Sequence, residues 1–228
     1  MFLAPFLVLY AIIFFFVLGF LFVLVEIGVI SHAFEMLGLP PDLAFLALLA
    51  SLLGSYINIP ITKVEGGELY TNEIVNSFGI RYRIPVRHAG GSTTVAVNVG
   101  GAIVPVLICI YVLMHHPSAI LPAMIATVIV ALVVHRSARP VRGLGIATPM
   151  FIPPIVAVLT TWLLAAIIGG PRHNDAIAYV GGVMGTLIGA DLLNLNKLGD
   201  LGAPVASIGG AGTFDGVFLT GIVAVLLA

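Results

Sequence analysis

Long apolar runs separated by short polar segments make up most of the chain. Seven runs have about the length of a membrane-spanning helix, because ~20 helical residues cross the ~30 Å hydrocarbon core of a bilayer. They cover residues 2–25, 42–58, 93–114, 118–135, 147–169, 176–196 and 205–228. The pattern predicts an all-α bundle of about seven transmembrane helices that forms a single domain over residues 1–228.

The first run, residues 2–25, begins next to Met1 and is longer than the apolar region of a signal peptide. It lacks the basic segment that precedes that region and the clear small-residue cleavage site that follows it. We therefore expect this run to be retained as the first membrane-spanning helix.

Residues 59–92 form the one sizeable polar segment between the runs. Within it, residues 80–87 alternate apolar side chains with polar ones, which is the two-residue period of a strand with one wet face. The segment predicts a short β-hairpin at the cytoplasmic surface. Arg81 and Arg83 would face anionic lipid head groups there, or flank an exposed edge that accepts an extended peptide.

Composition supports the membrane class and excludes several others. The chain is 60% hydrophobic and 8% charged, with a mean hydropathy of +1.19, whereas soluble domains carry about 25% charged residues. A net charge of −1 gives no basis for binding nucleic acid. With a single cysteine and no metal, phosphate-loop or dinucleotide motif, the sequence predicts neither a disulfide nor a metal or cofactor.

The basic residues indicate an orientation in the membrane. Counted over alternate loops, eight of the nine Lys and Arg residues fall on one side and only Arg172 falls on the other. Since basic loops stay in the cytoplasm, the N-terminus is expected to be cytoplasmic and the C-terminus outside. The predicted location is the plasma membrane, with lipids as the first partners. Both a single bundle and an oligomer are compatible with this pattern.

Small residues recur at every fourth position in the last two runs, which places them on one face of a helix. This spacing lets helix backbones approach closely within a bilayer. The stripes are Gly181, Gly185 and Gly189 in the sixth run, and Gly212, Gly216 and Thr220 in the seventh.

Two carboxylates, Asp191 and Asp215, lie beside these stripes and should look into the bundle. Asp191 is about 9 Å from the cytoplasmic end of its helix and Asp215 about 15 Å from the start of its own, at 1.5 Å per residue. Gly209 and Gly210 favour a loosened or broken start of the last helix. We expect the two carboxylates to meet in the cytoplasmic half of the membrane.

Two carboxylates at one site share a proton, because two like charges are costly there. One can then act as a base on water while the other donates to a substrate carbonyl. Asp191 and Asp215 are therefore the candidate catalytic residues of an intramembrane aspartyl protease, acting on a transmembrane peptide. The candidate substrate-binding residues are Gly210, Gly212, Arg81 and Arg83.

The arrangement resembles the intramembrane aspartyl proteases of the presenilin and signal-peptide-peptidase class. Their two aspartates lie on consecutive spans, with a Gly-x-Gly-Asp motif at the second. Here the corresponding stretch, Gly210 to Asp215, reads GAGTFD and is two residues longer. Asp191 follows Ala190, where those proteases have a tyrosine, and no further span carries their Pro-Ala-Leu element.

A closer resemblance is to the DUF1614 family of uncharacterised prokaryotic membrane proteins. It rests on "GADLLNL" at residues 189–195 and "GAPVASIGGAGTFDGVFLTGI" at residues 202–222, and covers the chain from about residue 59 onward. The family implies a multi-pass membrane protein and assigns no activity.

Two other functions remain open at this stage. Intramembrane acids beside loosened helix ends are also typical of a proton- or cation-coupled transporter or channel. In a non-enzymatic scaffold, the same acids would bond neighbouring helices.

Overall fold

The computed structural model describes residues 15–19, 23, 27–65, 69–77, 80–88, 92–141, 145–168, 173–197, 204–210 and 214–228. Most of the first candidate span, residues 2–25, lies outside this part of the chain, as does Gly212. The described pieces of that span, residues 15–19 and 23, are helical and exposed.

Helices account for most of the described chain. Helix α1 includes residues 27–36, and the others are α2 (Pro41–Gly54), α3 (Val104–His115), α4 (Ile120–Ser137), α5 (Ile152–Ile168), α6 (Asn174–Thr186) and α7 (Phe214–Leu227). Two turns with π-helical winding, π1 (Val99–Ile103) and π2 (Leu187–Asp191), precede α3 and follow α6. Short 3₁₀ helices cover Pro117–Ala119 and Leu192–Lys197.

Two continuous helical stretches, Pro117–Ser137 and Asn174–Lys197, are long and apolar enough to cross a membrane. The other apolar helices found among the described residues are shorter, at 10–17 residues each. The helical character of the chain is therefore confirmed, while the number of seven transmembrane helices stays a prediction.

Seven strands flank the helices among the described residues. They are β1 (Asn58–Glu65), β2 (Leu69–Ser77), β3 (Ile80–His88), β4 (Ser92–Asn98), β5 (Arg139–Val141), β6 (Gly145–Ala147) and β7 (Val205–Ile208). The central strand β4 pairs with β1 antiparallel and with β7 parallel. Strands β2 and β3 form one antiparallel hairpin, and β5 and β6 form another.

The fold class needs one correction. The hairpin expected within residues 59–92 is confirmed by β2 and β3, but the sheet extends into two of the runs assigned to helices. Residues 93–98 belong to β4, and residues 205–208 to β7. Val95, Ala96 and Ala206 are all buried. A strand that is buried on both faces does not alternate apolar with polar residues, so these strands lack the two-residue period in the sequence.

The glycine stripe of α6 packs against α4, as its spacing predicts. An added Cβ would lie 2.6 Å from the Ala126 side chain at Gly181, and 2.5 Å from the Val130 side chain at Gly185. At Gly189 it would meet the carbonyl oxygen of Ala131. Glycine therefore sets the close, parallel approach of these two helices.

Helix α7 approaches α6 at Thr220, which belongs to its predicted stripe, and at Gly221, which does not. An added Cβ would lie 2.8 Å from Thr220 at Gly182, and 2.8 Å from the Tyr179 ring at Gly221. At Gly216 the nearest atom would be Thr148 Oγ1 at 3.8 Å, which is an ordinary contact. Gly216 is thus buried without being needed for a close helix approach.

Strands β1 and β4–β7 and the π turns gather at one end of the helical bundle. Strand β4 continues into π1 and α3, α4 ends just before β5, and α6 ends in π2. A small apolar cluster joins these segments there, formed by Val95, Ala138, Ile146 and Ala206. The elements at this end, which we call the sheet end, hold Asp191.

Candidate functional site

Asp191 is the last residue of π2 and is buried, with 6% of its surface exposed. Its Oδ2 accepts a hydrogen bond from the backbone N–H of Gly209 at 2.7 Å. The expectation that Asp191 faces the bundle is therefore confirmed. The bond joins the end of α6 to the turn that follows β7.

Gly209 holds a conformation that other residues rarely adopt. Its φ is +69°, and an added Cβ would lie 2.6 Å from the carbonyl carbon of Gly101 in π1. Both the left-handed backbone and the lack of space require glycine. The expected break at the start of the last span is thus present. At this break, the turn that follows β7 packs closely against π1.

A side-chain network fixes the strands next to this turn. Asn98 Oδ1 accepts from the Gly101 N–H at 2.7 Å, and its Nδ2 donates to the Ser55 carbonyl at 2.7 Å and to Asn58 Oδ1 at 3.0 Å. The Ser207 hydroxyl donates to the same Asn58 oxygen. Since each strand of the sheet contributes one of these polar side chains, the network holds β7 in register beside Asp191.

A second amide, that of Asn194, supports the π turn itself. Asn194 is 1% exposed, and its Nδ2 donates to the carbonyls of Gly189 and Ala190 at 3.1 and 2.9 Å. Lys197 Nζ in turn donates to Asn194 Oδ1 at 2.7 Å. The two carbonyls that immediately precede Asp191 are thus held by one buried side chain.

Asp215 lies in the first turn of α7, and its side chain is outside the described part of the structure. It follows Gly209 by six residues. The next residue, Gly216, faces Thr148, which directly follows β6, and β6 packs against π2. The segment formed by β6 and Thr148 therefore contacts both π2 and the start of α7, while a shared site for the two aspartates stays a prediction.

The other candidate residues divide into two groups. Gly210 is buried next to Gly209, and its N–H donates to the Ser207 carbonyl at 3.0 Å. Arg81 and Arg83 lie in β3 opposite Asn76 and Ile74, and their side chains are among those not described. Gly210 therefore belongs to the turn after β7 that bonds Asp191, while the role of the two arginines stays a prediction.

Strand β7 presents one backbone edge that no described strand pairs with. The Thr94 N–H donates to the Pro204 carbonyl at 3.0 Å, and Val95 lies opposite Ala206. Because backbone groups alternate in direction along a strand, Ala206 points its groups at β4, whereas Val205 points its N–H and C=O away. Val205 is also half exposed.

The sequence reasoning did not identify Gly209, Asn194 and Thr148 as site residues. Only Gly209 carried a signal, as part of the glycine cluster before α7. Asn194 bonds backbone carbonyls of π2, and Thr148 contacts the start of α7. Neither kind of contact has a recognisable sequence motif. Among the described residues, no group of three or more His, Cys, Asp or Glu side chains could hold a metal ion.

Comparisons with known proteins return one family. The family model described as "Protein of unknown function (DUF1614)" matches residues 52–227, which confirms the family resemblance seen in the two sequence motifs. No curated protein and no solved structure matches the chain. The likeness to the intramembrane aspartyl proteases therefore rests on the two aspartates alone.

Proposed function

The chain belongs to the DUF1614 family of proteins of unknown function, and we propose that it is a multi-pass membrane enzyme that hydrolyses peptide bonds with Asp191 and Asp215. The observation that carries this proposal is the 2.7 Å bond from the Gly209 N–H to Asp191 Oδ2. It ties one candidate catalytic residue to the segment that leads, six residues later, to the other.

The outer surface of the bundle supports a membrane location. Large apolar side chains are exposed along the outward faces of α4 and α5, including Leu121, Leu132, Leu159 and Trp162 at 51–68%. Surfaces of this kind are covered by lipid or by a partner. We propose that they face lipid, with the sheet end on the cytoplasmic side, as the basic loops predict.

In the proposed reaction, one carboxylate of the dyad takes a proton from a water molecule. The water oxygen attacks the carbonyl carbon of the scissile bond, while the protonated carboxyl donates to the carbonyl oxygen. The C–N bond then breaks as the leaving nitrogen takes a proton from one carboxyl, while the other carboxylate takes a hydroxyl proton from the diol, which restores the dyad. The Gly209 N–H orients Asp191 in every step, since it does not depend on the substrate.

The free edge of β7 is the part of the site that fits an extended substrate. Helical peptide bonds are shielded by their own hydrogen bonds, so a transmembrane segment has to unwind before it is cut. The outward N–H and C=O of Val205 can pair with such an unwound segment by strand addition. The edge lies four residues before Gly209, which keeps the paired segment next to Asp191.

Cation-coupled transport is a second candidate, supported by a different observation. The hydroxyls of Thr148 and Thr220 are buried, and the described residues supply no hydrogen-bond partner for either one. Thr220 and Gly216 lie one turn apart on α7, and Gly216 faces Thr148. Unpaired hydroxyls along one helix face next to an acidic residue can line an ion or proton path.

One experiment separates the two candidates. The full chain is reconstituted in liposomes with a library of transmembrane peptides, and products are read by mass spectrometry. Asp191→Asn, Asp215→Asn and the double variant are compared with Asp175→Asn, which changes the aspartate at the other end of α6. The protease proposal predicts cleavage by the wild type and by Asp175→Asn, and none by the other three.

The same liposomes are then assayed for proton and cation flux. Flux that needs Asp191 and Asp215 in the absence of any cut peptide would overturn the protease in favour of the transporter. Absence of both activities from the wild type would remove both proposals and leave the non-enzymatic scaffold.

A further inference from the structure

The winding of helix α6 changes twice within its last turns. The helix is α-helical to Thr186, has π winding from Leu187 to Asp191, and continues as a 3₁₀ helix from Leu192. The Leu192 N–H is shared between the carbonyls of Ile188 and Leu187, four and five residues back. Such changes of winding misalign backbone donors and acceptors, so a turn of this kind needs additional hydrogen bonds from side chains.

Asn194 supplies that support from within the same segment. Its amide nitrogen donates to the carbonyls of Gly189 and Ala190, which precede Asp191 directly. The amide is buried, and Lys197 bonds its oxygen, so both ends of the side chain are fixed. A charged donor on the oxygen also strengthens the bonds that the nitrogen makes.

The position of Asp191 depends on the same two peptide units. Gly189 packs without space against Ala131, so the turn cannot shift toward α4. With the carbonyls of residues 189 and 190 held, the Cα of Asp191 is fixed on the side that faces Gly209. A relaxation of the π turn toward α-helical winding would rotate Asp191 by roughly 100° and break the bond to Gly209.

We propose that Asn194 is a positioning residue for Asp191, and that Lys197 acts by holding the Asn194 amide in its orientation. Asn194 keeps the π turn wound, and the π turn keeps the Asp191 carboxylate on the Gly209 N–H. The geometric part stands by itself, and only its consequence for catalysis rests on the proposed function.

Hydrogen exchange of the intact protein in lipid nanodiscs tests the geometric part without any activity assay. Because Gly209 is protected by Asp191, loss of the positioning should speed exchange in residues 205–210. Asn194→Ala should speed it at least about fivefold, and Lys197→Met by a smaller factor. Exchange in α4 should stay unchanged in both variants.

Asp191→Asn is the matched control, because it weakens the bond to Gly209 while leaving Asn194 in place. It should speed exchange at residues 205–210 but not at residues 192–194, whereas Asn194→Ala should affect both segments. Unchanged exchange at 205–210 in Asn194→Ala would overturn the proposal. So would a uniform increase over the whole bundle, which indicates general destabilisation.

If Asn194→Ala does not fold, Lys197→Met decides the matter, since it leaves the buried amide intact. Faster exchange confined to residues 189–210 supports the positioning role, and unchanged exchange overturns it. Where cleavage is measurable, Lys197→Met should lower kcat more than it changes KM. Loss of cleavage in Asp191→Asn with normal kcat in Lys197→Met would remove this inference and leave the protease standing.

Discussion

The backbone N–H of Gly209 donates to Asp191 Oδ2 at 2.7 Å and thereby links two interrupted helices. Asp191 ends the π turn of the sixth helix, and Gly209 lies in the turn between β7 and the last helix. Buried carboxylates are costly unless they are paired or hydrogen-bonded. The bond therefore gives Asp191 a stable position and at the same time brings the start of the last helix toward it.

Replacement of Asp191 should lower stability to a degree that depends on whether the new side chain can accept a hydrogen bond. Asp191→Leu leaves the buried Gly209 N–H without this acceptor, so we expect a loss of about 1–3 kcal/mol in the free energy of unfolding. Asp191→Asn keeps an oxygen acceptor and should lose less stability. Thermal unfolding in detergent measures both. Equal losses in the two variants would mean that the Gly209 bond contributes nothing to stability.

Two glycine substitutions should differ although both sites are helical and buried. In Gly185→Ala the new methyl group would lie 2.5 Å from Val130, so we expect a loss of about 1–3 kcal/mol. In Gly216→Ala it has an ordinary contact of 3.8 Å with Thr148, so stability should hold or rise. The helix-propensity gain of up to ~1 kcal/mol is common to both variants, and the difference isolates packing.

Unfolding temperatures of these two variants, measured in the same detergent, check this prediction. The stripe in the sequence favours equal importance for the two glycines, and the structure separates them. A larger loss for Gly216→Ala than for Gly185→Ala would contradict the packing of α6 on α4.

The free edge of β7 should be needed for substrate and not for folding. Val205→Pro removes an N–H that points away from β4, so stability should change by less than about 0.5 kcal/mol. Pairing with an extended substrate would lose one hydrogen bond, which corresponds to a rise in KM of roughly twofold to tenfold. Val205→Thr keeps the N–H and serves as the control.

Ala206→Pro is the opposite case, because the Ala206 N–H points at β4. It should destabilise the protein by about 1–3 kcal/mol. If Val205→Pro left the KM unchanged while remaining folded, the substrate would not pair with this edge.

The orientation can be tested by reporter fusions. A reporter in the loop of residues 136–146 should be cytoplasmic, and one at the C-terminus should be outside, because the basic residues cluster on one side. The structure makes the same prediction independently of the charges, because α4 ends at the sheet end whereas α7 starts there. Both reporters on one side of the membrane would contradict the topology and the depth assigned to the two aspartates.

Hydrophobic periodicity predicted the helices well and the strands of the core poorly. The run at residues 118–135 corresponds to α4, since an apolar stretch of this length with no glycine is too long for a typical strand and favours a helix. The run at 93–114 combines β4, π1 and α3, and its first residues, TTVAVN, hold no charge and lead directly into the apolar residues of α3. A buried strand cannot be distinguished from a buried helix by periodicity alone.

The candidate site shows the same division. Burial of Asp191 followed from one carboxylate in an apolar run beside a glycine stripe. The roles of Asn194 and Lys197 could not be predicted, because they arise from a change in helical winding that has no simple sequence pattern. The stripe correctly assigned a close contact to Thr220 but also assigned one to Gly216, whereas the second tight contact of α7 is at Gly221, since the face that a helix buries depends on its neighbours.

The most direct test of the central claim is the distance between residues 191 and 215. Asp191→Cys and Asp215→Cys are combined in a Cys109→Ala background, oxidised in nanodiscs, and cut with trypsin at Lys197, which lies between them. Asn58→Cys with Asn98→Cys is the positive control, because the two residues lie directly opposite each other in the adjacent antiparallel strands β1 and β4, and Asp191→Cys with Thr220→Cys is the negative control.

A disulfide requires Cα atoms within about 7 Å. If the two aspartates form one dyad, the 191–215 pair should be joined by direct oxidation or by a short bifunctional thiol reagent that spans the length of the two lost carboxyl groups, and the tryptic fragments should stay joined until they are reduced. Fragments that separate without reductant after both treatments, while the 58–98 pair cross-links normally, would contradict a shared aspartyl site.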